Sequence, residues 1–169
     1  MKKSIFILLI SSLLLNVSCT SDETCIQTKY VKLTASFYHV HYNDTTNIYT
    51  RSSLSIDSLT VQGLKVDSLT GQYHLIDSIL YNNKKSVSSI NLPLSNRSIQ
   101  SKFKLKFNTV LDTMTIYHTN LNDYLSLECG CIKLHSIDTV VTTHHYIDSV
   151  RIIIHDVNTI NAENIRLYK

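Results

Sequence analysis

The stretch SKFKLKFN, residues 101–108, decides the fold prediction. Lysines and apolar residues alternate along it, and the apolar positions are Phe103, Leu105 and Phe107. Successive side chains of a β-strand point to opposite faces, so this segment would present one apolar face and one charged face. Such a pattern is typical of an antiparallel strand that packs on a core with one side and meets water with the other.

Similar alternation recurs along the chain. Besides this segment, the sequence predicts strands over Tyr30–Tyr42, Ser55–Gln62, Gln72–Leu80, Ser86–Leu92, Asp112–His118, Tyr124–Leu134, Thr139–Thr143, Ile147–His155 and Glu163–Tyr168. Polar turns separate these segments, and no convincing amphipathic helix interrupts them. We therefore predict an all-β protein with a single antiparallel β-sandwich, immunoglobulin-like or related, over residues 29–169.

The N-terminus has the residue order of a secretory signal and resembles the signal of bacterial lipoproteins. Lys2 and Lys3 precede an apolar run over residues 5–15, and small Ser18 stands just before Cys19. This run of about eleven residues is shorter than the roughly 20 that a membrane-spanning helix needs. We predict a signal peptide over residues 1–18 and acylation of Cys19; the alternative is an ordinary secreted protein cut near Ser18.

An acylated Cys19 would make the membrane the first partner of this protein. Each buried methylene contributes about 0.8 kcal/mol, and two or three acyl chains such as palmitate hold a protein firmly at a bilayer. Residues 19–28 are predicted to be a tether between the lipid and the sandwich.

The composition excludes several classes of function. The chain has 169 residues and a net charge of +3, which falls to about +1 once Lys2 and Lys3 are removed with the signal. A nearly neutral protein lacks the basic footprint of nucleic-acid binding. With 3 glycines and 1 proline, the sequence also offers no glycine-rich phosphate loop.

Cys25, Cys129 and Cys131 remain once Cys19 carries lipid. Disulfides persist in the oxidising compartment that such a signal implies, but three cysteines allow at most one bridge within the chain. A bridge across the single glycine between Cys129 and Cys131 would be strained. Cys25 is therefore predicted to pair with Cys129 or Cys131, which would close a loop of about 100 residues and contribute about 4 kcal/mol.

Metal binding has only weak candidates in this sequence. His39 and His41 would share one face of a strand, a spacing that can hold zinc, and His144 with His145 would be further ligands. Alternation alone explains the first two as part of a polar strand face. The motif apolar-Asp-Ser/Thr-apolar recurs, as in residues 56–59 and 111–114, and predicts turns or strand entries. The compact aspartate-rich loop of calcium sites is missing, so no cofactor is predicted.

Catalytic motifs are also missing from the sequence, including Gly-x-Ser-x-Gly, His-Glu-x-x-His and Cys-x-x-Cys. An unpaired Cys131 would need a base, and His135 would lie about 13 Å along the same strand. We predict a non-enzymatic structural or binding accessory. The alternatives are a glycan- or calcium-binding module, to which 10 tyrosines would contribute, and a hydrolase whose site is assembled from separate strands.

Four stretches resemble an uncharacterised outer-membrane lipoprotein family of the Bacteroidota: INLPLSN (90–96), DTMTIYH (112–118), YLSLECGC (124–131) and ENIRLY (163–168). The resemblance implies a lipid-anchored protein of the outer membrane, facing the periplasm or the cell surface, with an envelope protein or a glycan as partner. Asp22 and Glu23 look like the surface-export signal of such lipoproteins. The resemblance also favours Cys129 over Cys131 as the partner of Cys25. It implies no activity, and the calcium-binding label of some members finds no loop here.

Overall fold

A computed structural model describes residues 31–66, 73–127 and 130–169. Its strands are β1 (Leu33–Asn43), β2 (Ile48–Ser53), β3 (Leu59–Val66), β4 (Tyr73–Lys84), β5 (Ser89–Leu92), β6 (Gln100–Phe107), β7 (Val110–Ser126), β8 (Gly130–Thr142), β9 (Ser149–Ile152), β10 (Asp156–Val157) and β11 (Glu163–Tyr168). Across these three ranges, no helix has the length and apolar character needed to cross a membrane.

The strands form two sheets. The first has the order β2-β1-β11-β9, with β5 also pairing with β1, and the second has the order β10-β8-β7-β6-β3-β4. Neighbouring strands are antiparallel except for β1 and β11, which pair in parallel. The all-β sandwich prediction is confirmed, with this one parallel pair added to it.

The core lies between the two sheets. Phe37 of β1 and Phe107 of β6 meet edge to face with ring centroids 5.7 Å apart, a favoured aromatic geometry. Phe103, Leu105 and Phe107 are all buried, as their alternation predicts. The apolar face of SKFKLKFN therefore joins the second sheet to the first.

Two local predictions are wrong. Tyr124–Leu134 is not one strand, because β7 ends at Ser126 and β8 begins at Gly130 and runs antiparallel to it. Gly130 has a φ of 70°, which glycine adopts without strain, and the β-favouring residues on either side conceal this reversal. Strand β2 was not predicted at all, since its residues are all exposed and show no apolar alternation.

The repeated aspartate motif does not always mark a turn. The copies at residues 56–59 and 147–150 do lead into β3 and β9. The copies at residues 111–114 and 137–140 lie inside β7 and β8 instead, and Asp112 is fully buried. The same four-residue pattern thus has two different structural roles.

Candidate functional site

A cavity of about 620 Å³ lies where β3 ends and β6 begins. Its volume is within the range of about 300–1,000 Å³ that is typical of small-molecule sites. The loop between β5 and β6 covers one side of it. The apolar part of its lining consists of Gly63, Leu64, Leu80, Pro93, Leu94 and Phe103.

A glycine on the core-facing side of β3 contributes to this space. Gly63 pairs with Phe103 across the β3–β6 ladder and is buried, in phase with Val61 two residues earlier. Val61 fills its place in the core, whereas Gly63 has no side chain to do so. The sheet therefore leaves room beside Phe103 that a larger residue would occupy.

Serine hydroxyls fold the loop that covers the cavity. The Ser95 hydroxyl accepts hydrogen bonds from the amides of Arg97 (3.3 Å) and Ser98 (3.1 Å). The Ser98 hydroxyl accepts one from the amide of Gln100 at 3.2 Å, and the Ser101 hydroxyl accepts one from the amide of Ser95 at 2.8 Å. Because these amides bond within the loop, the wall of the cavity has a defined backbone conformation.

A row of polar side chains lies behind that loop, in which Ser101, His118 and His135 are buried and Asn120 is half-buried. Ser101 Oγ is 2.9 Å from His118 Nε2, and His118 Nδ1 is 3.1 Å from Asn120 Oδ1. His135 Nδ1 is 2.7 Å from the same Asn120 oxygen, and the Asn120 amide donates to the Ser98 carbonyl at 3.0 Å. One proton arrangement satisfies every contact: both imidazoles carry their proton on Nδ1 and donate to Asn120, and Ser101 donates to His118.

Both histidines are neutral near pH 7. Burial lowers the pKa of His118 below its usual value, although the bond to Asn120 and the charge of Asp138 act against it. Burial also lowers the pKa of His135, to about 4, and repulsion from a protonated His118 and from Lys133 acts in the same direction. The two rings stand nearly perpendicular with centroids 5.1 Å apart. This neutral pair links β7 and β8 to the loop at the cavity.

The order Ser101, His118, Asn120 is that of a nucleophile, a base and an orienting group. Three features oppose catalysis by Ser101. Ser101 is only 7% exposed, and its oxygen already accepts the Ser95 amide. The amides of Arg97, Ser98 and Gln100 are engaged with serine hydroxyls, so they do not form an oxyanion hole.

A second buried polar site, centred on Asp112, is separate from the cavity. Its carboxylate accepts hydrogen bonds from the Thr143 hydroxyl (2.7 Å) and from the amides of His145 (2.8 Å), Tyr146 (2.9 Å) and Ile147 (2.9 Å). Burial alone would raise the pKa of Asp112, but these bonds outweigh it and lower the pKa to about 2. Asp112 therefore fixes the loop between β8 and β9.

The metal candidates of the sequence are not gathered into one site. His39 and His41 lie on the exposed half of β1, opposite Ser52 and Thr50 of β2. His144 and His145 lie in the loop that Asp112 holds, and the Nδ1 atom of His145 is 3.2 Å from the carboxylate. Within the ranges that the structure describes, no three His, Cys, Asp or Glu side chains are grouped as metal ligands.

Most of the cysteine predictions concern residues that the structure does not describe. Cys19, Cys25 and Cys129 lie outside the described residues, so acylation and the disulfide stay predictions. Cys131 is exposed on β8 with a free thiol. His135, its proposed base, is buried and bonds to Asn120.

Sequence reasoning missed the polar row, although its periodicity contained a signal. Ser101 continues the buried phase of Phe103 and Leu105, and His118 continues that of Met114 and Ile116. A polar residue at an apolar position of a strand indicates a buried polar group that needs a partner. The partner Asn120, two residues after His118, lies in the same phase and is half-buried.

Comparison of the chain with curated proteins and with solved structures gave no match. Residues 58–169, which include the cavity and both buried polar groups, match the family of unknown function DUF6452, and the chain belongs to that family.

Proposed function

We propose that this protein is a non-enzymatic binding protein of the cell envelope whose ligand occupies the cavity beside Phe103. In this proposal, residues 1–18 are a signal peptide and a lipid on Cys19 holds the sandwich at the outer membrane of a Bacteroidota cell. The observation that carries the binding role is the cavity of about 620 Å³ with its mostly apolar lining.

Packing energetics support a ligand. Protein interiors are close-packed, and removing apolar contacts destabilises them by about 24 cal/mol for each Å³ of cavity left. Here the fold keeps Gly63 facing Phe103 and covers the space with an ordered loop rather than filling it. A bound apolar molecule would recover the contacts that the lining lacks.

The alternatives have less support. No tyrosine, aspartate or glutamate is among the cavity-lining residues in the described ranges, so stacking on a glycan or coordination of calcium has no visible basis there. Hydrolysis remains the second candidate because of the Ser101–His118–Asn120 order. A fluorophosphonate probe should leave Ser101 unlabelled, and labelling that is lost in Ser101→Ala would favour the hydrolase.

Photocrosslinking tests the binding role on the intact, lipid-bearing protein in mild detergent. A dodecanol carrying a diazirine should label residues 93–103 saturably, and excess dodecanol should compete with it. Gly63→Leu should reduce the labelling at least about fivefold, because its side chain would project into the cavity. The control Thr115→Leu places the same side chain on the outer face of β7 and should label as the wild type does.

Two results would count against the cavity as the ligand site. One is labelling that does not saturate and spreads over exposed apolar residues such as Ile48 and Leu127. The other is equal labelling of the wild type and Gly63→Leu, provided that the variant has the circular dichroism spectrum of the wild type.

The anchor is tested in cells. Cys19→Ala should lose palmitate labelling and leave the membrane fraction, since the acyl chains supply the membrane affinity. Cys131→Ala removes an exposed thiol far along the chain and should keep both properties. Unchanged palmitate labelling of Cys19→Ala would refute the anchor.

A further inference from the structure

The cavity lining divides into an apolar interior and a basic mouth. Leu94 and Phe103 are 7% and 4% exposed, so they form the interior. Lys65 and Arg97 also line the cavity but are exposed to solvent, and Lys102 beside them is half-buried. The described lining residues include no carboxylate. The described lining is therefore positively charged at the mouth, whereas the chain as a whole is close to neutral.

We infer that the cavity takes a molecule with one apolar chain and an anionic head group. This inference rests on the proposed binding function and adds the chemical class of the ligand. The chain would lie against Leu94 and Phe103, and the head group would remain at the mouth beside Arg97. A fatty carboxylate and a phosphorylated acyl chain share this chemistry.

The cations at the mouth are suited to that head group. In the part of the chain that the structure describes, neither Arg97 nor Lys65 forms an ion pair, so both charges are available to a ligand. A guanidinium binds carboxylate or phosphate with two parallel hydrogen bonds, and an ammonium adds a point charge. The neighbouring loop amides are already bonded to serine hydroxyls, so side chains rather than backbone would hold the anion.

The apolar interior argues against a wholly polar ligand. Leu64, Leu80 and Leu94 offer no hydrogen bonds, and an acidic sugar would lose its hydration against them without replacement. A hydrocarbon chain loses no hydrogen bonds there and gains about 0.8 kcal/mol for each buried methylene. Charge at the mouth together with an apolar interior thus favours an anionic amphiphile.

Competition against the neutral diazirine probe tests the charge preference on the same lipid-bearing protein. The competitors have equal chains: dodecanoate, dodecyl phosphate, dodecanol and dodecylammonium. Both anions should displace the probe at concentrations about fivefold lower than dodecanol, and dodecylammonium should be the weakest. The better of the two anions indicates whether the natural ligand carries a carboxylate or a phosphate.

Charge-removing variants locate the effect. Arg97→Gln and Lys65→Gln should each reduce the advantage of the anions over dodecanol, and the double variant should abolish it, with dodecanol itself unaffected. Both residues are exposed, so these changes should leave the fold intact. Arg151→Gln, an exposed change on β9 of the other sheet, should keep the full advantage. Added salt should weaken the anions alone.

The outcomes separate the two proposals. If dodecanol displaces the probe as well as dodecanoate and dodecyl phosphate do, the anionic class is wrong while binding in the cavity stands. If the anion advantage survives in the double variant, Lys65 and Arg97 do not recognise the head group and the inference fails. If the neutral probe never labels residues 93–103 saturably, the proposed function itself fails.

Discussion

Replacing Asp112 with alanine is expected to lower the free energy of unfolding by about 4 kcal/mol. The side chain is fully buried and accepts hydrogen bonds from the Thr143 hydroxyl and from three consecutive backbone amides. Each donor left without a partner costs about 1–3 kcal/mol where water does not reach it. Urea unfolding of the wild type and Asp112→Ala, followed by circular dichroism, measures the difference.

Two companion variants identify the cause. Asp112→Asn keeps an accepting oxygen but introduces a competing donor, so it should lose about half as much stability. Asp138→Ala changes an exposed copy of the same sequence motif on β8 and should stay within about 0.5 kcal/mol of the wild type. If Asp112→Ala is no less stable than Asp138→Ala, the carboxylate does not anchor the loop between β8 and β9.

The second large effect is a loss of stability in mild acid. The free energy of unfolding should fall by about 2–3 kcal/mol between pH 7 and pH 4, because His135 has a pKa of about 4 in the fold against 6.5 when unfolded. Below pH 6.5 the His135 imidazole is protonated in the unfolded chain but stays neutral in the folded chain until the pH approaches 4. Acid therefore favours unfolding. His118 contributes in the same direction, since burial also lowers its pKa.

Protonation of Asp112 causes a further loss of stability at lower pH. Its stabilisation is complete above its ordinary pKa of 3.8 and is lost as the pH falls toward 2. The pH range in which the histidines reduce stability is therefore higher than the range in which Asp112 does.

Urea unfolding at a series of pH values measures the histidine effect. His135→Gln should be less stable than the wild type at pH 7, but its stability should change less between pH 7 and pH 4. His39→Gln, which changes an exposed histidine of β1, should keep the wild-type dependence. Equal pH slopes for the wild type and His135→Gln would show that His135 is not the group responsible.

Period-two patterning predicted the fold class because the sandwich buries one face of most strands. Segment 101–108 shows this clearly, since burial alternates along β6. The predicted strand Glu163–Tyr168 coincides with β11, but its burial does not alternate. The parallel pairing of β1 with β11 was not predictable, since pairing partners depend on contacts between distant segments. The missed strand β2 is exposed throughout, so burial left no pattern in its sequence.

The candidate site was harder to predict than the fold. The cavity depends on Gly63, on a loop some 30 residues later and on β6. No short sequence motif predicts that these segments lie together in the fold. Asp112 was read as a local turn residue, yet its partners lie 31–35 residues along the chain. Local spacing predicts local bonds, whereas the bonds of Asp112 and those from Asn120 to Ser98 and His135 join residues that are 15–35 positions apart.

The position of a bound chain tests the central claim most directly. Intermolecular nuclear Overhauser effects between isotope-labelled dodecanoate and the intact protein report which side chains lie within a few ångström of the ligand. We expect contacts with the methyl groups of Leu64 and Leu94 and with the ring of Phe103. Contacts confined to exposed residues such as Tyr49 or Leu127, with none to Phe103, would contradict a ligand site in the cavity.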